Sequence, residues 1–194
     1  NIVRIYNYYA YDRECTGYIL MEYIDGTDLG TYIQDIYPSS ESITLDKLFS
    51  QIIDAFCYIE EHGILHRDIR EENILVDKEG NIKIIDFGIG KFYSLMFQVN
   101  RTRPNTLPQE HFQGKYTSLT DMFYIAELFY RLISDTKHID VSKFSYIDIL
   151  VKMMQKALEN RFSNFAEIKN TIGKYEFTSN IQITAERKDF IKHS

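Results

Sequence analysis

Cysteine is nearly absent from this 194-residue sequence: Cys15 and Cys57 are its only two. They are too few for a dense disulfide framework, and neither lies in a CxxC or Cys/His cluster that would suggest zinc. Both read as reduced structural residues. No apolar stretch approaches the ~20 residues needed to cross a bilayer, and no basic segment followed by an apolar one opens the chain. No membrane partner is therefore expected, and a cytoplasmic setting is the simplest reading. An excess of base is missing as well: 22 Lys and Arg against 28 Asp and Glu leave a formal charge of -6. That balance argues against a nucleic-acid partner held by phosphate neutralisation. Repeats and low-complexity tracts are absent, and His62, His111, His138 and His193 are scattered without ligand spacing, so no function is assigned to them. An initiator Met is also absent. The chain opens at Asn1 directly into NIVRIYNYYAY, which alternates like a strand already inside a domain, so a fragment is expected.

What is present is the composition of one globular domain, with 44% hydrophobic and 26% charged residues. Residues 2–9 and 18–23 are β-favouring runs that pair across the polar YDRECTG turn. IDGTDLG then breaks the pattern. From Thr44, a good N-cap, Leu45, Leu48, Phe49, Ile52, Ile53, Phe56 and Ile59 recur at threes and fours until Gly63, which predicts an amphipathic helix. Residues 74–76 and 82–85 flank DKEGN, whose Gly80 and Asn81 suit a tight hairpin turn. Residues 89–110 read as one long loop with Pro104 and Pro108, a length that in a compact domain means function or disorder. A strongly apolar helix opens at Asp121 and runs through Ile133, two more cover 146–158 and 165–172, and a loosely packed polar tail follows Tyr175.

Three oxygen-bearing side chains, Asp68, Asn73 and Asp86, stand at the two ends of that short hairpin and could converge. Convergent oxygens suit Mg²⁺, a hard cation usually held by one or two carboxylates plus substrate phosphates. A third acid beside such a site need not ligate metal and could accept a proton from a hydroxyl nucleophile. Residues 66–88 read HRDIREENILVDKEGNIKIIDFG. HRD-x4-N followed by DFG resembles the paired signature of the eukaryotic-type protein-kinase catalytic and magnesium-binding loops.

That resemblance implies an α+β fold: a mainly α-helical protein-kinase C-lobe with short β-hairpins and the N-lobe largely absent. Residues 1–24 would be the last N-lobe strands and hinge, 25–175 the C-lobe and 176–194 a tail. It implies ATP and Mg²⁺ as cofactors and a protein substrate. Asp68 matches the catalytic base, Asn73 and Asp86 the magnesium ligands, and Arg70 stands where serine/threonine kinases usually carry a phosphate-contacting Lys. Phe87 and His66 would stack in the regulatory spine. LMEYIDGTDL resembles the hinge, with Met21 as gatekeeper, the backbone of Glu22, Tyr23 and Ile24 offered to adenine, and Asp28 near the ribose. Leu75 would lie beneath the adenine ring, and Glu72 and Ile85 are counted with the nucleotide-binding residues. Leu29, Leu128 and Leu132 match hydrophobic-spine positions. Asp121 matches the acid that supports the catalytic-loop backbone, and Glu110 and Arg161 match an ion pair of the family.

Departures from the family pattern set its limits. The sequence holds no glycine-rich loop, no VAIK-type lysine and no helix bearing its glutamate partner. Those parts form the N-terminal lobe, expected upstream in a parent chain, and the fragment alone is expected to be inactive. Arg70 replaces Lys, PQE replaces APE, Phe123 replaces a Trp, and no clear GT-x-x-Y segment precedes Glu110. RTRPNTLPQE lacks the tyrosine-kinase type of substrate platform, which favours serine/threonine. Only 40 positions separate Asp121 from Arg161, which points to a reduced docking helix. Two alternatives are a pseudokinase scaffold and a small-molecule phosphotransferase, the latter expected to carry HGD-x4-N. Arg67 beside Asp68 is the feature by which many kinases sense loop phosphorylation. Ser94, Thr102 and Thr106 are the candidate sites, and mass spectrometry of the active full-length protein that finds this loop wholly unmodified would remove the idea.

Overall fold

The computed structural model describes residues 1–11, 16–37, 43–87, 108, 110 and 113–175. Cys15, nearly all of the expected 89–110 loop with Ser94, Thr102 and Thr106, and the tail after Tyr175 lie outside them. The described residues form an α+β arrangement of two small antiparallel sheets and a helical body. Among them, no helix is long and apolar enough to cross a membrane.

Strands β1 (Ile5–Tyr11) and β2 (Thr16–Met21) pair antiparallel, with Tyr9 opposite Tyr18 and a register irregularity between Ile5 and Asn7. The expected pair is present but displaced: β1 starts later than expected and β2 ends at Met21, with one further backbone bond from the Glu22 amide to the Arg4 carbonyl. Every residue of both strands is exposed. The segment expected only to break the pattern adds a strand, β3 (Gly26–Asp28), because it pairs with β4 (Ile74–Asp77), which pairs in turn with β5 (Ile82–Ile84). Gly26 permits this pairing, since a Cβ there would run into the Val76 carbonyl. The β4–β5 turn closes as expected around Gly80, at φ 76° against the Ile43 side chain, with the Asp77 carboxylate accepting from the Glu79 and Asn81 amides.

Asp28 caps a short helix α1 (Leu29–Thr31) that continues as a π-helical turn over Tyr32–Ile36; the hydrophobic pattern did not suggest it. Helix α2 (Leu45–Glu61) starts where expected: the Thr44 hydroxyl accepts from the Lys47 amide, and Gly63, at φ 67°, follows its end. Its apolar stripe is buried throughout. Helix α3 (Ser118–Asp135) begins one turn before Asp121, because Thr117 and Thr120 form a reciprocal capping box. Its Leu128 and Leu132 are buried, as is Leu29. Phe49 of α2 meets Phe129 of α3 and Phe144, at ring centroid distances of 5.2 and 5.6 Å, near the centre of this core. The expected helix over 146–158 shortens to α4 (Ile147–Met153), followed by a 3-10 turn at Leu158–Asn160. Between α3 and α4 stands a 3-10 turn, Val141–Lys143. The last helix, α5, covers 165–175, with the Glu60 carboxylate of α2 accepting from the Phe165 amide at 2.7 Å.

Glu110 and Arg161 are paired and buried. Arg161 donates to both carboxylate oxygens of Glu110, at 2.6 and 3.3 Å, and also to the carbonyls of Leu119, Gln155 and Lys156. The guanidinium lies over the Phe123 ring, 5.1 Å from its centroid. One cation thus joins residue 110, the start of α3 and the turn after α4. Arg161→Ala strands the Glu110 carboxylate and is expected to cost about 3–5 kcal/mol, or about 6–20 °C in Tm. An unchanged Tm by calorimetry would contradict the role assigned to this pair.

Candidate functional site

The segment between α2 and β4 lacks regular structure apart from a 3-10 turn at Glu71–Asn73. Its shape comes from outside. The Asp121 carboxylate, buried on α3, accepts from the His66 amide at 2.9 Å, the Arg67 amide at 3.0 Å and the Tyr116 hydroxyl at 2.6 Å. Two successive amides converge on one carboxylate, and Arg67 takes a left-handed φ of 66° beside them, a conformation that costs a non-glycine residue about 1–3 kcal/mol. Asp86 is the other non-glycine residue at positive φ, 55°, among the described residues.

His66 connects these two strained points. One ring nitrogen, Nε2, faces the Ile85 carbonyl at 3.0 Å, and the other, Nδ1, accepts from the Asp68 amide at 3.3 Å. That pattern requires the neutral tautomer protonated on Nε2. Burial disfavours the charged form and lowers the His66 pKa to about 4. Phe87 packs on the ring at a centroid distance of 5.0 Å, and Phe56 of α2 lies on it at 5.8 Å. Phe87 and His66 meet as expected, with their ring planes tilted by 43° and not stacked.

Asp68 and Asn73 meet directly. The Asn73 amide nitrogen donates to the Asp68 backbone oxygen and to its Oδ2, both at 2.9 Å. Two acceptors on one side fix the amide orientation and turn its oxygen away as a remaining acceptor. The Arg70 Nε stands 3.3 Å from the same Oδ2. Asn73 is also tied to the strand leading into Asp86, its carbonyl accepting from the Ile85 amide at 3.0 Å. The hairpin therefore holds the exit of the 66–73 segment against the approach to Asp86. Asn73 is buried, whereas Asp86 and Glu72 are exposed. An amide oxygen and a carboxylate form a hard, all-oxygen donor pair suited to Mg²⁺. Among the described residues, no group of three or more His, Cys, Asp or Glu could hold a metal ion.

The remaining candidates lie along the three-stranded sheet and its approach. Asp28, Leu75 and Lys83 are successive register partners across β3, β4 and β5. Leu75 and Ile85 are half-buried. Asp28 already accepts from the Thr31 amide and hydroxyl as a helix cap. Met21 ends β2, and Glu22, Tyr23 and Ile24 form the connection toward β3, with Tyr23 88% exposed. Tyr116 and Lys83 were missed in the sequence. Tyr116 has no motif around it, while Lys83 interrupts an apolar run in IKII, a period-two signal that marked it as facing away from the core.

A family model described as "Protein kinase domain" matches residues 1–193. The chain is 27% identical over 184 residues to a probable serine/threonine-protein kinase PknB of Lactococcus lactis subsp. lactis (strain IL1403), covering 91% of this chain and 27% of that protein. It is 31% identical over 163 residues to the serine/threonine-protein kinase PrkC of Bacillus subtilis (strain 168), covering 80% and 24%. It is 32% identical over 143 residues to a CBL-interacting protein kinase 1 of Oryza sativa subsp. japonica, covering 69% and 30%. The chain thus spans under a third of the length of each of these relatives.

The two buried titrating groups oppose each other in acid. Burial raises the Asp121 pKa to about 6, so the folded state binds the extra proton and stability falls as pH rises through about 4–6. The lowered His66 pKa, about 4, means the unfolded state binds the extra proton, so stability rises with pH through about 4–6.5. Asp121→Asn removes the first contribution and leaves the second. Denaturant titrations are expected to show the stability gap between wild type and Asp121→Asn widening as pH falls from 6.5 to 4.5. A gap that stays constant would contradict these assignments.

Proposed function

The chain belongs to the protein kinase family, and from that premise we propose that it forms the catalytic half of a serine/threonine kinase within a longer protein. The reading rests most on the Asn73 amide, which donates to both the backbone and the side chain of Asp68 at 2.9 Å and so leaves one acid and one amide oxygen aimed apart. Asp68 would accept the proton of a substrate serine or threonine hydroxyl as its oxygen bonds to the γ-phosphorus of ATP and ADP departs. Asn73 and Asp86 would hold Mg²⁺. Bound there, the ion supplies neutralisation of phosphate charge. Arg70, whose Nε stands 3.3 Å from Asp68 Oδ2, would face the transferring phosphoryl group. The backbone of Glu22, Tyr23 and Ile24 would meet the adenine, beside Met21, with Leu75 beneath it and Asp28, Glu72 and Ile85 around the ribose and phosphates.

Residues 1–24 would then be the last strands and hinge of the N-lobe, and 25–175 the C-lobe. In support, β1 and β2 expose Ile5, Tyr8, Tyr18 and Leu20 at 52–64% of their surface, on a two-stranded sheet too small to be stable alone. A further sheet from the longer protein would cover it and carry the glycine-rich loop and lysine that the 194 residues lack. Catalysis of phosphoryl transfer is mostly positioning and electrostatics. Half of the clamp is therefore not enough.

In the full-length protein, Asp68→Asn is expected to lower kcat for peptide phosphorylation about 10²–10⁴-fold with the KM for ATP little changed. The isolated 194 residues are expected to transfer no radiolabel from ATP. Transfer by the isolated chain that Asp68→Asn abolishes would refute the division into halves. Full activity of the Asp68→Asn protein would refute the assignment of the base.

A further inference from the structure

Arg131, near the C-terminal end of α3, approaches the segment that carries Asp68. Its Nη1 stands 3.8 Å from Oε2 of Glu71, and the two side chains are 35% and 27% exposed. That separation makes an ion pair but is too long for a hydrogen bond. Oε2 itself is buried and accepts no hydrogen bond. Its place is set from the other side by Gly30 of α1, which is buried: a Cβ there would lie 2.9 Å from Oε2 and 3.2 Å from Asp28 Oδ1. Arg161 offers the contrast. Its guanidinium spends its donors on Glu110 and three carbonyls, whereas among the described residues Arg131 makes no hydrogen bond. Glu71 thus anchors the charge of Arg131 and leaves its N–H donors open.

We propose that Arg131 selects acidic acceptors, binding a carboxylate of the protein substrate a few residues from the serine or threonine that meets Asp68. The inference rests on the kinase reading above and names a substrate class that the reading leaves open. Glu71 follows Asp68 by three positions, a span of at most about 11 Å, and an extended peptide advances about 3.3 Å per residue. An acceptor hydroxyl at Asp68 therefore brings side chains about three residues away over the Glu71–Arg131 pair. A guanidinium whose charge is held but whose donors are unspent can take a carboxylate through two parallel N–H···O bonds. The neighbouring acids are less available to a substrate cation. Oε2 of Glu71 is buried, and the Asp28 carboxylate already accepts from the Thr31 amide and hydroxyl. Glu72, exposed beside Glu71, and Glu127, one turn back on α3, oppose the selection and limit its size.

Peptide phosphorylation by the full-length protein tests this. In an alanine-rich serine peptide, Glu or Lys is placed in turn at each position within about four residues of the serine. The KM of the Lys peptide divided by that of the Glu peptide is taken within each variant, so that a general loss of activity or folding cancels. About three residues from the serine, the wild type is expected to give a ratio of about 3 to 10, carried by KM and not by kcat. Arg131→Gln should bring the ratio to about 1, and Arg131→Glu should invert it. Arg131→Lys should keep a smaller preference for Glu, because an ammonium lacks the planar fork. A wild-type ratio at or below about 1 at every position, or a ratio that Arg131→Gln leaves unchanged, overturns the selection while the phosphorylation itself upholds the kinase reading. Absence of transfer to every peptide and to a mixed-sequence peptide library would instead defeat the kinase reading, and the selection with it.

Discussion

The Asp121 carboxylate is the constraint on which the rest of the site depends. It sits buried near the start of α3, the central helix of the apolar core, and collects the amides of His66 and Arg67 with the Tyr116 hydroxyl. A buried carboxylate without such donors would cost several kcal/mol; a loop at left-handed φ without such an acceptor would relax. Each makes the other tenable. The consequence travels outward by short steps: His66 reaches the Asp68 amide and the Ile85 carbonyl, Ile85 reaches Asn73, and Asn73 reaches Asp68. The residues that carry the proposed chemistry therefore inherit their positions from packing of α3 against α2, not from local propensity.

Two modes of stabilisation coexist in the chain. The helical body is held by aromatic and aliphatic packing, with Phe49, Phe56, Phe129 and Phe165 fully buried, and by the Arg161 cation threading carbonyls and Glu110. The β1–β2 hairpin buries no side chain and has only the edge-to-face contact of Tyr11 with Tyr18, at 5.7 Å, across its exposed surface. Its firm attachments lie at its base, where the Asn1 carbonyl and the Val3 amide pair with Ile84 and where Glu22 meets Lys83. A hairpin tied at one end and bare along its length is the element whose position is most open to adjustment. It is also the element proposed to carry the adenine-contacting segment.

Much of this was legible in the sequence. The stripe from Leu45 to Ile59 predicted α2 to within a residue, because spacing at threes and fours, a threonine cap and a terminal glycine all point the same way. HRD-x4-N and DFG located Asp68, Asn73 and Asp86 through a motif, and the hairpin between them was readable from DKEGN. Other features were not legible, for physical reasons. Strand β3 consists of GTD, in which Thr27 stands between two poor strand formers, and exists because β4 offers it a partner. Helix α1 rests on a single Asp28 cap and tertiary burial of Leu29 and Ile33. Tyr116 serves Asp121 from just outside the N-terminus of α3, a placement that no periodicity encodes. NIVRIYNYYAY alternates like a strand inside a domain, yet both faces of β1 are exposed, since burial depends on what packs against a sheet and not on the strand itself.

The central claim is that the hairpin from Ile74 to Ile84 brings Asn73 and Asp86 to one Mg²⁺ while Asp68 stays clear of it to take a proton. A crystal structure of the full-length protein with Mg²⁺ and a non-hydrolysable ATP analogue measures this directly. The account predicts the Asn73 amide oxygen and an Asp86 carboxylate oxygen within about 2.0–2.2 Å of the metal, with Asp68 outside its coordination shell and the Asn73 amide nitrogen still on Asp68. A metal bound by Asp68 in place of Asn73, or a nucleotide seated away from Leu75 and Asp86, would contradict it.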